Sequence, residues 1–163
     1  MIQKVKLTTR EGKKVMGCRV TVTSDFHSSI ENIWNKIQDV DTLREICKPK
    51  ASFIACDDSP IQWKEGKTFV FKMYLHGFLP VGRHTINVVK MDKTSREIDT
   101  KEYDNTVVIW NHYIKMEEIS QQVTRYTDTV DLYAGCLTSI AAWWTLKFYK
   151  HRQCKWQIIA KSL

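Results

Sequence analysis

In the segment TVVIWNHYIKM, the alternate positions Val108, Trp110, His112, Ile114 and Met116 fall on one face, so an imidazole stands among four apolar side chains. Histidine titrates near neutrality. At such a position it is either a satisfied wall residue of a core or cavity, or a group that meets a ligand or moves a proton. In the following segment, QVTRYTDTVDLY, Tyr126, Asp128, Val130 and Leu132 share a face, with Arg125, Thr127, Thr129 and Asp131 opposite. Asp128 is therefore a second inward charge, and His112, Asp128 and Tyr126 are the groups from which a general acid and base would be drawn. No nucleophile motif and no metal spacing of the H-x-x-x-H kind accompanies them, so neither metal nor cofactor is expected. His84 shares a face with Ile86 and Val88 but begins its strand, which places it at a rim.

The last segment adds polar groups to an apolar surface. Leu137 to Ala160 contains no Gly or Pro and follows Gly135, which predicts a helix of about 36 Å at 1.5 Å per residue. At 100° per residue Leu137, Ile140, Trp144, Phe148, Ile158 and Ile159 form an apolar arc, with His151 and Lys155 inside it. Arg152 lies just past its edge, placed to pair with Asp128 or another acid. Such a pair either fixes helix to sheet or grips the polar head of a ligand. Trp63, Trp110, Trp143, Trp144 and Trp156 are read as core and cavity lining. Trp143 and Trp144 project about 100° apart, so they cannot both face a sheet.

These residues need elements to position them. Val15 to Asp25 alternates, with Met16, Cys18, Val20 and Val22 on one face and Arg19, Thr21 and Thr23 on the other. HSSIENIWNKIQDVDTLREICKP supplies Ser28 or Ser29 as an N-cap and Ile30, Ile33, Trp34 and Ile37 at helical spacing. Asp39 to Asp41 interrupts this helix and Pro49 ends a second one carrying Leu43 and Ile46. Six strand-like runs follow: ASFIAC, KTFVFKMYLH, RHTINVVKM, SREIDTKE, TVVIWNHYIKMEE and QVTRYTDTVDLY. One-faced antiparallel strands must bury their apolar side, and one long helix is available to cover it. The expected fold is α+β: a curved seven-stranded antiparallel sheet around the C-terminal helix, with two short helices after the first strand, in a single domain over residues 1–163.

Composition fits a folded globule. The chain has 163 residues, 43% of them hydrophobic and 26% charged, and a net charge of +7 with no run of five basic residues. The charge is read as a mildly basic surface in preference to a polyanion site. Cys18, Cys47, Cys56, Cys136 and Cys154 are odd in number and contain no C-x-x-C pair, so reduced and mostly buried thiols are expected. The charged start MIQKVKLTTREGKK does not read as a signal peptide, and no run of about 18 apolar residues would span a bilayer. A cytoplasmic location is expected.

The element order, WKEGKTFVF entering a strand, and YTDTVDLYAG leading into a helix with FYKHRQ resemble the helix-grip, START-like superfamily, also called SRPBCC. The resemblance runs from about Lys13 to Ala160 and is mainly topological. It implies a cavity between sheet and helix for a hydrophobic ligand. The candidate contacts on the sheet are Phe71, Met73, Trp110, His112, Tyr126 and Asp128, and on the helix Trp144, Phe148 and His151. The stretch MYLHGFLPVGRHTINVV places Phe78, Leu79, Pro80 and Val81 on a turn bounded by Gly77 and Gly82. HGFLPVG resembles the Gly-Leu-Pro gate loop of the plant abscisic-acid receptors in this superfamily. Their His-Arg-Leu latch is absent from EYDNT, so the resemblance implies a gate without hormone signalling; the alternative is a turn that packs on the final helix.

The leading function is carriage or sensing of a hydrophobic small molecule or lipid by a monomer or homodimer, with no specific nucleic acid and no transmembrane segment. The alternatives are a cyclase- or hydrolase-type enzyme using the same cavity, and a protein-binding module, which an exposed Trp143 or Trp156 would favour.

Overall fold

The computed structural model describes residues 1–56, 61–104 and 106–163; Asn105, in the EYDNT turn, lies outside them. The chain runs β1 (Ile2–Thr8), β2 (Lys14–Phe26), α1 (Ile30–Ile37), α2 (Val40–Cys47), β3 (Ala51–Ala55), β4 (Thr68–Leu75), β5 (Leu79–Asp92), β6 (Glu97–Tyr103), β7 (Ile109–Ser120), β8 (Val123–Tyr133), a 3-10 turn (Gly135–Leu137) and α3 (Thr138–Ala160). The strands form one sheet in the order β1-β2-β8-β7-β6-β5-β4-β3, every neighbour antiparallel. α3 lies against β2, β8 and α2. The fold is the expected helix-grip arrangement, with one correction. The sheet has eight strands, because Ile2–Thr8 adds an edge strand to β2.

Local chemistry fixes the entry to the helices. Ser29 caps α1, its side chain accepting from the Asn32 amide, and Asp39 caps α2 by accepting from the Asp41 amide. Ile33, Trp34 and Ile37 bury one face of α1, and Val40, Ile46 and Cys47 one face of α2. The long strands then hold their inward residues in register. His112 lies opposite Val130 and Thr100, and Asp128 lies opposite Ile114 and Val22. On the outer face, Arg19 pairs with Asp131 and Arg125 with Asp25 across neighbouring strands, in solvent where each pair contributes little.

α3 corrects the sequence-based arc. It starts at Thr138, and Leu137, Ile140 and Ile158 are exposed, at 47%, 66% and 66%. The buried face instead carries Thr138, Ala142, Thr145, Phe148, Tyr149, Arg152, Gln153, Trp156 and Ile159. Met16 and Val108, expected inward, are exposed as well. Cys18 and Cys47 are buried, but Cys56, Cys136 and Cys154 are exposed, so the expectation of mostly buried thiols fails; all five are free. Burial pushes the Cys47 thiol up to about 12, which leaves it unreactive.

A cavity walled by a buried charge network

β4 to β7, α2 and α3 line two adjoining chambers. The inner one, about 90 Å³, is walled by Ile86, Val88, Ile98, Ile114 and Phe148 together with Thr100, His84, Glu102, His112, Tyr149 and Arg152. The outer one, about 270 Å³, is apolar, with Leu75, Val81, Val107, Leu137, Ile140 and Ala141 in its wall. Met73, Asp104, Trp110 and Trp144 line both.

A chain of charged groups crosses the inner wall from strand to strand. His84 on β5 contacts Asp104 through Nδ1 at 3.2 Å and Glu102 on β6 through Nε2 at 2.8 Å. Glu102 also accepts from the Thr100 hydroxyl at 2.6 Å and lies 3.7 Å from Nδ1 of His112 on β7. His112 Nε2 meets Asp128 on β8 at 2.7 Å. Asp128 in turn accepts from Gln153 Nε2 on α3 at 2.8 Å, and that same amide donates to the Val22 carbonyl. Six elements, β2, β5, β6, β7, β8 and α3, are thereby tied by one network.

Burial opposes charge on both imidazoles, but their carboxylate partners prevail. His84 is raised to about 9 by Asp104 and Glu102, and His112 is raised by Asp128 and Glu102. Burial likewise pushes Glu102 and Asp104 up, and the imidazoles outweigh it, holding Glu102 well below the usual carboxylate range and Asp104 below its own. Near neutral pH His84 is an imidazolium ion donating to carboxylates, and His112 is drawn toward the same form by its neighbouring acids. His84, Glu102, Asp104 and His112 thus each face a partner of opposite charge, which offsets their desolvation. Among the described residues no group of three or more His, Cys, Asp or Glu side chains is arranged to hold a metal ion.

Of the sequence candidates, Met73, Trp110, His112, Trp144 and Phe148 line the cavity. Asp128 is buried behind His112, and Tyr126 stacks on Phe26 with ring centroids 5.0 Å apart, away from either chamber. Phe71 packs edge-on against Phe53 and Trp63 behind the wall. His151 lies outside the cavity, its ring nitrogen 2.8 Å from the Lys48 carbonyl. The sequence reading placed His84 at a rim. It is an interior residue, 5% exposed, because β5 begins at Leu79 and His84 is the sixth residue of the strand, not the first. Glu102, Asp104, Thr100 and Tyr149 were missed. The signal was present for Thr100 and Glu102, which alternate with the apolar Ile98 in SREIDTKE.

The expected pairing of Arg152 with Asp128 does not form. Arg152 is 6% exposed, its guanidinium stacked over the Tyr149 ring at 4.5 Å, and its Nε has no hydrogen-bond partner among the described residues. The Tyr126 hydroxyl, Gln153 Oε1 and Trp156 Nε1 are also buried without partners. The hairpin between β4 and β5 turns through His76 (φ 51°) and Gly77 (φ 80°), and a bulge opposite Met73 and Tyr74 swings Val81 inward to the outer chamber. Phe78, Leu79 and Pro80 remain exposed, Phe78 at 78%, so the tip is not packed under α3. Trp143 is exposed beneath Lys147, whereas Trp156 is fully buried. No helix among the described residues is long and apolar enough to cross a membrane.

No protein-family model matches the chain, and no curated protein matches it. Solved structures do. A START superfamily protein from Mycobacterium smegmatis aligns over 88% of this chain and 97% of its own, at 11% identity and a TM-score of 0.67. A hypothetical protein from Helicobacter pylori aligns over 87% of both chains at 10% identity and 0.69. Ara h 8.0201 aligns over 89% of this chain and 98% of its own at 10% identity and 0.65. With its antiparallel sheet packed on a long C-terminal helix, the chain has a helix-grip fold, which it shares with the START superfamily protein and with Ara h 8.0201.

Proposed function

We propose that residues 1–163 act as one unit that binds a hydrophobic small molecule or lipid-like molecule in the two-chambered cavity. The observation that carries this reading is a chamber with a few charged groups in its wall that shares Met73, Asp104, Trp110 and Trp144 with an apolar chamber reaching Val81 of the hairpin. A pocket with mostly apolar walls and a few convergent polar groups is the usual form of a small-molecule site. A cavity of about 150 Å³ suffices for a benzene-sized guest. The outer chamber exceeds that size and takes the apolar body of the ligand. The inner one falls short of it and takes a small group. Met73, Trp110, Trp144 and Phe148 contact the ligand, His112 and Asp128 set the polarity of the inner wall, and Phe78 to Val81 gate entry.

Detergent-free native mass spectrometry of the freshly purified protein tests this reading. A stoichiometric apolar adduct, released on denaturation, is expected. Mass corresponding to the bare chain, with no adduct formed on addition of an apolar fluorophore, contradicts it. A second reading, acid catalysis on a bound apolar substrate, draws on the His112–Asp128 contact beside the cavity. His112→Gln separates the two, since a carrier keeps its adduct and an enzyme loses turnover.

A further inference from the structure

The buried charges of the inner chamber are not equally provided for. Glu102 uses one oxygen on His84 and the other on Thr100, with His112 alongside. Asp104 receives His84 on one oxygen and the Thr106 and Val107 amides on the other. Asp128 is held by His112 and Gln153. The acids of the site are thus saturated. Arg152 differs. It lines the chamber at 6% exposure, stacks on Tyr149, and makes neither an ion pair nor a hydrogen bond with any described residue. Across the whole cluster three acidic side chains face two histidines and one arginine. The donors of the guanidinium itself are open, although a guanidinium is built to hold a planar anion with two parallel hydrogen bonds. Beside it, the Tyr149 hydroxyl accepts from Trp110 Nε1 at 3.3 Å and retains its own proton to donate.

We propose that the ligand is an organic acid, bound head inward, with its carboxylate, or an equivalent small anionic group, received by Arg152 and Tyr149 in the inner chamber and its apolar body in the outer one. The inference rests on the proposed binding function and specifies the chemistry of the occupant. Lining supports the orientation, because the charged side chains gather in the inner chamber of about 90 Å³, while about 270 Å³ of apolar space adjoins it toward the surface. Burial supports it too: an arginine withdrawn from water with its donors unused is costly, and an incoming anion supplies the missing acceptor.

Octanoate and 1-octanol, which share one chain and differ in the head group, provide the test by calorimetric titration at pH 7.5. The intact protein is expected to bind octanoate at least about tenfold more tightly than octanol, the range for a charge-assisted hydrogen bond. Arg152→Met, which keeps the apolar stem, is expected to abolish this preference while leaving octanol affinity within about twofold; Arg152→Lys should retain part of it. Equal affinities in the unaltered protein, or a preference that persists in Arg152→Met, overturn the proposal while leaving apolar binding in place. Failure of both probes to bind overturns the binding reading as well, and the inference with it. Should Arg152→Met not fold, the comparison in the unaltered protein and in Arg152→Lys still decides.

Discussion

The inner and outer chambers share Met73, Asp104, Trp110 and Trp144, yet they are built on opposite terms. The inner wall holds His84, Glu102, Asp104, His112 and Asp128 in or behind it, joined across four strands and tied to α3 through Gln153, with Arg152 beside them unpaired among the described residues. The outer wall is almost wholly aliphatic and aromatic, and its rim leaves Phe78, Leu79, Leu137 and Ile140 in solvent. Apolar surface is non-directional and accepts many shapes, whereas a fixed set of donors and acceptors discriminates between chemical groups. The difference implies a division of labour in which the outer chamber supplies affinity and the inner one supplies selection. Stability should follow the same division, concentrated where the charges are buried.

The largest expected effect comes from breaking the inner network. Asp128→Ala leaves His112 and Gln153 without their acceptor, and urea denaturation should show a loss of roughly 3 to 5 kcal/mol. Asp131→Ala, which breaks a cross-strand pair on the outer face, should cost no more than about 1 kcal/mol. Comparable losses from the two would remove the contrast.

Titration gives an intermediate effect. The folded-state pKa of His84, about 9, stands above its ordinary 6.5, and that of His112 is also raised. The stability they contribute is therefore complete below about pH 6.5; that of His84 is lost as pH rises through about 9, and that of His112 as pH rises through its own raised value. Glu102 and Asp104 are held low, so their contribution is present above their ordinary values of 4.5 and 3.8 and is lost as pH falls. Thermal midpoints should be highest between about pH 4.5 and 6.5 and decline toward pH 9. His84→Gln should flatten that decline, and an unchanged profile in the variant would separate His84 from it.

The smallest effect on stability belongs to the hairpin. Phe78→Ser with Leu79→Ser should shift the denaturation midpoint by no more than about 0.5 kcal/mol per site, since both side chains are already exposed. Stopped-flow release of a bound apolar fluorophore should nevertheless accelerate if the tip gates the mouth. A lowered midpoint with an unchanged release rate would make the tip ordinary packing.

Most of the fold was legible because each element carried its own signal. The strand alternations, a cap at Ser28 or Ser29, the interruption at Asp39 to Asp41 and the unbroken final segment each pointed to one structure. Strand β1 was missed because it is a wet edge whose inward face carries only two apolar residues, Val5 and Leu7, both half-buried and flanked by exposed Lys4 and Lys6, an alternation too short to stand out. The site was legible on β7 and β8, where His112 and Asp128 interrupt apolar alternations, and illegible on α3. There Thr145, Tyr149, Arg152 and Gln153 are buried while Ile140 and Ile158 are exposed, which inverts the pattern that defines an amphipathic helix. His84 was misplaced by a strand start four residues late, since the Gly77 and Gly82 signals were read as one long turn when the bulge lets the strand resume at Leu79.

The central claim, that the adjoining chambers form one binding cavity, is tested most directly by titrating the uncharged fluorophore N-phenyl-1-naphthylamine into the intact protein and into Ala141→Phe, which places a ring in the wall of the outer chamber. The account predicts a saturable fluorescence rise at one probe per chain in the intact protein and its loss in a variant whose denaturation midpoint is little changed. No saturable rise in the intact protein, or an undiminished one in the filled variant, would contradict it.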